Sequence, residues 1–229
     1  VEKSSRDTTT SDTLSLHYLA HRAVCDLSLS QIQQVPLKGG TRVPTLASVL
    51  DCLVAHESDD RHLVIEVKPG SPEVVEPLCN LLSDRAIPSQ ATIMSFDLEV
   101  IQAVAQTIGQ PSGLASPYRC LWLACTRSWD EDAHGFTYAQ VTKDRHSLDS
   151  VTQTIRTSQL DGIYIEYNSD IVTPDVLADL KAQGLFVGIW SSDPQHDVVS
   201  VVNKLVSEGA DLINTDEAIT LPKALMTAG

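Results

Sequence analysis

An α/β fold with a buried parallel sheet is what the sequence predicts, and two observations carry that prediction. Short apolar, β-branched runs begin at Leu63, Ala91, Leu121, Gly162, Leu185 and Asp211, spaced 28, 30, 41, 23 and 26 residues apart. Runs without polar alternation suit strands covered on both faces, as when helices flank a parallel sheet. Helical patterns fill the intervals, with start and stop signals where strands hand over. Repeated strand–helix units with right-handed crossovers leave a doubly wound sheet or a barrel. Periodicity does not choose between them.

Taken in order, the polar, Ser/Thr-rich stretch Val1 to Thr13 reads as a loop or arm. Residues 1–26 are expected to form that arm, ahead of one domain over 27–229. The first run, Leu63 to Lys68, precedes Ser71-Pro72-Glu73, a helix start with serine at the N-cap and proline at N1. Val74, Val75, Leu78 and Leu82 then give that helix an apolar face. Ala91 to Phe96 forms the second strand and Asp97 the handover to a helix. After Leu121 to Cys125, the stretch Thr126 to His146 reads as an extended loop of the kind in which α/β folds vary. Gly162 to Tyr167 is followed by Thr173-Pro174-Asp175, a capped helix start, and Gly184 closes that helix. Leu185 to Trp190 and Asp211 to Asp216 are the last two strands, with Pro194 and Asp216 at their ends.

Composition narrows the function classes. The 229 residues include 30 acidic and 16 basic side chains, for a formal charge of -14. Such a surface repels phosphate backbones and anionic headgroups, which argues against nucleic acid or a membrane as partner. No apolar run reaches the roughly 18 residues of a membrane span. Any anionic substrate then needs a bound cation, or local Lys and Arg, to invert the field. The five cysteines form no Cys-x-x-Cys pair, so they read as plain buried thiols in a reducing, cytoplasm-like compartment.

Four stretches in order carry a family resemblance. Arg42-Val43-Pro44-Thr45-Leu46 with Val49-Leu50, Leu63-Val64-Ile65-Glu66-Val67-Lys68 and Ser95-Phe96-Asp97 are the first three. The fourth is Val187-Gly188-Ile189-Trp190 followed by Gly209-Ala210-Asp211-Leu212-Ile213-Asn214-Thr215-Asp216. Together they resemble the glycerophosphodiester phosphodiesterase family, from about Asp26 to the C-terminus. The resemblance selects a TIM-type (β/α)8 barrel over the doubly wound sheet and numbers the six strands three to eight. It implies metal-dependent hydrolysis of a small-molecule glycerophosphodiester to glycerol 3-phosphate and an alcohol, as in phospholipid metabolism. The family's His-Arg-Gly, Glu-x-Asp and His-Asp motifs, with strands one and two, are expected to lie outside this sequence. Closing the barrel would then need a missing N-terminal segment or a partner chain. A different class of function, an inactive barrel serving a larger assembly, stands as the alternative.

The residues agree with that chemistry. Reacting groups of a barrel sit at the C-terminal ends of its strands, and period 2 turns Glu66 and Lys68 to one side there. A strand so apolar would rarely carry both charges for packing alone, although a salt bridge fixing the rim is the plainer reading. By resemblance, Glu66 is a ligand of Mg²⁺ or Ca²⁺, and Lys68 acts on the phosphate. Phe96 and Trp190 are pocket walls in the family and otherwise core caps, and Ser191-Ser192-Asp193 departs from the family's Thr-Val-Asn. Glu166 shares the inward parity of Tyr164, either for function or to pair with a cation. His21-Arg22 lacks the glycine of the family motif, and His134 is the histidine to watch in the long loop.

Overall fold

The computed structural model describes residues 23–56, 61–68, 70, 72–85, 91–108, 118–127, 136–191, 193–196 and 198–217. The chain divides into two compact units, with the boundary between Ala55 and His56.

In the first unit, the expected arm is described only from residue 23, and Val24–Asp26 form one 3₁₀ turn. Ser28 and Gln31 then close a capping box on the short helix α1, Leu29–Ile32. A tight turn with Gly39 and Gly40 at φ of +93° and +82° lets Pro36 bridge Arg42. Thr45 Oγ1 accepts the Ser48 N–H at 3.1 Å, at the start of helix α2, Leu46–Ala55. The Pro-Thr-Leu stretch of the family resemblance is therefore a helix start.

In the second unit, all six predicted runs are strands, joined by one that the sequence hid. They are β1 (Leu63–Glu66), β2 (Ala91–Ser95), β3 (Tyr118–Cys125), β4 (Ala139–Gln140), β5 (Gly162–Glu166), β6 (Phe186–Trp190) and β7 (Leu212–Ile213). Every pairing is parallel, in the order β1-β2-β3-β5-β6-β7, and β4 pairs with the end of β3. The described sheet is a partial TIM-type barrel: among the described residues the outer edges of β1 and β7 pair with no further strand.

Register divides the sheet into two faces. Glu66 pairs with Met94, Met94 with Leu121, Leu123 with Tyr164, and Glu166 with Trp190. Paired residues of parallel strands point the same way, so these residues share the inner face. There Leu121, Leu123 and Tyr164 form a buried cluster, with Met94, Phe96, Phe186, Trp190 and Leu212 packed on it. The outer face holds buried Ile93, Trp122, Ile163, Ile165, Val187 and Ile189. Four of the helices on that side are α3 (Val75–Asp84), α4 (Leu98–Ile108), α6 (Pro174–Ala182) and α7 (Val199–Ser207).

Some boundaries differ from expectation. Ser71 lies outside the described residues; Pro72–Val74 form a 3₁₀ turn before α3, and Val74 is exposed while Val75, Leu78 and Leu82 are buried. Thr173 does cap α6, accepting the Val176 N–H at 3.4 Å, and Gly184 follows at φ +77°. Among its described residues, the long stretch after Cys125 holds regular structure. It contains β4, and helix α5 (Arg145–Thr157) starts inside its predicted span, capped by Asp144. Two residues of strand show no periodicity, so sequence pattern could not reveal β4.

Two aspartates pin the lower edge of the sheet. Asp161 accepts the Cys120 N–H at 2.7 Å, and Asp211 accepts the Val187 N–H at 2.7 Å while also meeting Lys181 Nζ. Each carboxylate thus binds the backbone of the neighbouring strand, a structural task for the aspartate of the Gly-Ala-Asp ending.

The same lower edge holds a titratable contact. His62 Nε2 lies 2.7 Å from Thr92 Oγ1, and the Arg119 guanidinium stacks 4.6 Å from the Phe186 ring centre. Burial, and then the Arg119 charge, hold His62 below its ordinary 6.5. The unfolded chain takes up this proton before the folded one, so stability falls as pH drops below about 6.5 toward the lowered folded value. Above that window His62 contributes no slope. Urea denaturation between about pH 5 and 7.5 should show a smaller slope in His62→Gln than in the wild type. Equal slopes would remove His62 as the source.

Candidate functional site

Glu66 closes β1 and Lys68 lies two residues beyond, after Val67 has extended the ladder through its N–H bond to Met94 O at 2.8 Å. Both therefore project from the C-terminal end of the strand on the inner face. They meet: Lys68 Nζ donates to Glu66 Oε1 at 2.6 Å, with side-chain exposures of 77% and 25% respectively. The carboxylate is the sheltered member and the ammonium the solvated one.

Phe96 and Trp190 stand on the same face, edge to face, with ring centres 5.8 Å apart. The Phe96 carbonyl is bound by the Trp122 indole N–H at 3.0 Å, which fixes the backbone where β2 turns into α4. Asp97 caps that helix through the N–H groups of Glu99 and Val100, and its own N–H donates to Ser95 Oγ. The aspartate of Ser-Phe-Asp is thus a cap. Trp190 is half-buried, yet its Nε1 is fully enclosed and finds no hydrogen-bond partner among the described residues. A buried donor left in this state normally acquires a water or ligand acceptor.

A second carboxylate–cation pair gives Glu166 the cation that the sequence reading allowed for without naming it. Glu166 ends β5 on the inner face and is buried. Its Oε2 accepts the Thr126 N–H at 3.0 Å and hydroxyl at 3.3 Å, and Oε1 lies 3.3 Å from Arg127 Nε. Glu166 was legible from parity alone. Arg127 was not, because it follows the end of β3 in what reads as loop. Beneath them, burial first and the Glu166 charge next push the Cys125 thiol up to about 12. Burial, with Asp161 and Cys79, does the same to Cys120. These are inert packing thiols, but Cys52 is exposed, contrary to the expectation for all five.

His196 is half-buried, with Nδ1 3.0 Å from Ser191 Oγ and its ring edge-to-face with Tyr167 at 4.7 Å. Ser191 also accepts the Asp193 N–H, so this group ties down the turn after β6. His21, Arg22 and His134 lie outside the described residues.

A divalent metal of the Mg²⁺ or Ca²⁺ type needs about six or more oxygen ligands. Among the described residues no group of three His, Cys, Asp or Glu side chains could hold one, and one oxygen of Glu66 already binds Lys68. These residues alone do not make a metal site; Glu66 could be one ligand of several.

The fold has counterparts among solved structures. A Galdieria sulphuraria protein provisionally assigned as a glycerophosphodiester phosphodiesterase superposes with a TM-score of 0.67 at 17% identity, covering 90% of this chain and 72% of that one. A similar provisional assignment holds for an Agrobacterium tumefaciens protein, with a TM-score of 0.64, 16% identity, and coverages of 90% and 74%. A glycerophosphodiester phosphodiesterase from Parabacteroides distasonis gives 0.58 at 15% identity, with coverages of 88% and 71%. No protein-family model matches the chain, and no curated protein sequence matches it. At such identities the likeness establishes the fold, a partial TIM-type barrel shared with these proteins. No helix among the described residues is long and apolar enough to cross a membrane.

Proposed function

We propose that this chain belongs to a phosphodiesterase that hydrolyses glycerophosphodiesters to glycerol 3-phosphate and an alcohol. The observation that carries the reading is the placement of Glu66 and Lys68. Two charges leave an apolar strand at its C-terminal end on the inner face, where barrels hold their chemistry. Phe96 and Trp190 give that face an apolar wall, and the enclosed Trp190 N–H, without a partner among the described residues, lies beside it.

In the reaction, water oxygen bonds to phosphorus as the P–O bond to the alcohol breaks, and the alcohol leaves with a proton. Lys68, two-thirds or more in solvent and tethered by Glu66, faces the phosphoryl oxygens on which negative charge grows. Mg²⁺ or Ca²⁺, held by Glu66 together with ligands from outside the described residues, would supply Lewis-acid polarisation of the phosphate. Strands from the same outside source, or from a partner chain, would cover the edges of β1 and β7.

A second reading has an observation of its own. The Lys68–Glu66 contact and the lack of a three-ligand cluster among the described residues also suit an inactive barrel within an assembly. One assay separates the two. The full natural chain carrying these residues is incubated with glycerophosphocholine, glycerophosphoserine and glycerophosphoglycerol, with Mg²⁺, Ca²⁺ or a chelator. Glycerol 3-phosphate release that the chelator stops is the expected result. Absence of release from every substrate with both cations would favour the inactive barrel.

A further inference from the structure

We infer that Arg127 is an anion-binding residue of the barrel mouth, positioned by Glu166, and that it reads an acidic group on the alcohol side of the substrate. The inference rests on the phosphodiesterase reading for its substrate, but not for its geometry. Glu166 is only 6% exposed in its side chain, whereas Arg127 is 53% exposed. A carboxylate so buried on a strand end is costly unless fully paired, and it is paired by three donors from Thr126 and Arg127. The contact with Arg127 uses Nε. The terminal nitrogens of the guanidinium make no hydrogen bond to a described residue, which leaves the planar fork that matches carboxylate and phosphate.

The two pairs of the inner face are built alike. In each, a strand-end carboxylate is the sheltered partner and a cation the solvated one, Glu66 with Lys68 and Glu166 with Arg127. Each pair is neutral as a whole, but in a chain of formal charge -14 both turn their cation, and not their carboxylate, toward solvent at this end of the sheet. The pairs are also well separated. Lys68 follows β1 and Arg127 follows β3, two strand steps of about 4.8 Å apart, about 10 Å along the curved sheet. Set on separate strands, the two cations can serve separate anionic groups. With Lys68 on the scissile phosphate, Arg127 is left for a second anionic group, a carboxylate or another phosphate. A choline or ethanolamine cation would meet like charge there.

The test compares headgroups in binding and in turnover. Equilibrium binding of O-phosphoserine and phosphocholine to the full natural chain is measured by calorimetry, with no hydrolysis required. Arg127→Ala is expected to weaken phosphoserine binding by at least about tenfold and to leave phosphocholine within about twofold. Because Arg127→Ala strands a buried carboxylate, the double variant Arg127→Ala/Glu166→Gln is measured alongside and should show the same loss of discrimination. In turnover, the preference for glycerophosphoserine over glycerophosphocholine should fall by a similar factor. Equal losses for both ligands would place Arg127 on the shared phosphate and overturn the headgroup reading; no loss for either would overturn the anion site. A wild-type protein that hydrolyses neither substrate, yet binds phosphoserine through Arg127, would sink the phosphodiesterase reading and leave this one standing.

Discussion

Gly162→Ala is expected to destabilise the protein by about 3 kcal/mol or more, among the largest effects a single methyl can have here. Gly162 opens β5 and pairs with Phe186 of β6. A Cβ at this position would fall 1.9 Å from the Phe186 carbonyl oxygen and 2.7 Å from its carbonyl carbon and nitrogen. The obstacle is backbone, so relief requires the two central strands to part. Gly188 offers a contrast, because the missing Cβ there would meet Tyr164 Cδ2 at 2.0 Å, a side chain. Gly188→Ala should therefore be rescued in part by Tyr164→Ala, which clears the ring at the expense of a cavity. Gly162→Ala should gain nothing from Phe186→Ala, since backbone atoms remain. Urea denaturation of the four variants measures both comparisons. A loss below about 1 kcal/mol for Gly162→Ala would show that β5 and β6 separate more readily than close packing allows.

Glu66→Ala is expected to lower kcat/KM for a glycerophosphodiester by about 10²-fold or more. Loss of one preorganised electrostatic group costs about 10²–10³ in comparable sites, and groups that merely orient a ligand cost about 10–100-fold. The substitution removes the anchor of Lys68 along with its own carboxylate, because the two share a bond of 2.6 Å. Stability should change little, as the Glu66 side chain is one-quarter exposed and closes the strand at its open end. Terbium luminescence sensitised by tryptophan gives a second readout of cation binding. A variant that keeps near-normal, cation-dependent turnover would remove Glu66 from the site, whatever becomes of the phosphodiesterase reading.

Much of the architecture was written locally. Six of the seven described strands announced themselves through short, mostly apolar runs, and burial on both faces of a parallel sheet demands such runs. The start of α6 was plain from Thr173-Pro174-Asp175, since caps act within three residues of the atoms they satisfy. Parity also put Glu66 with Lys68, and Glu166 with Tyr164, on one side of their own strands, because alternation is a property of the strand itself. What sequence pattern alone left open was barrel against doubly wound sheet, and the motif resemblance decided that question before the register did.

Only the tertiary structure showed what these side chains meet. Glu166 and Thr126 are 40 residues apart, and nothing within either neighbourhood fixes that contact. The register of β3 on β5 fixes it, as it also brings Arg127 over the strand end. Asp211 shows the converse. It reads as part of a motif, but its carboxylate holds the Val187 N–H and Lys181, so its role is to pin strands together. Likewise β4 exists only by pairing with Ala124 and Cys125, being too short to carry a pattern of its own. Sequence determined the elements and the face each residue occupies, because propensity, capping and alternation act over a few residues. The partners were decided by packing, because a contact across 40 residues depends on register and on every strand between.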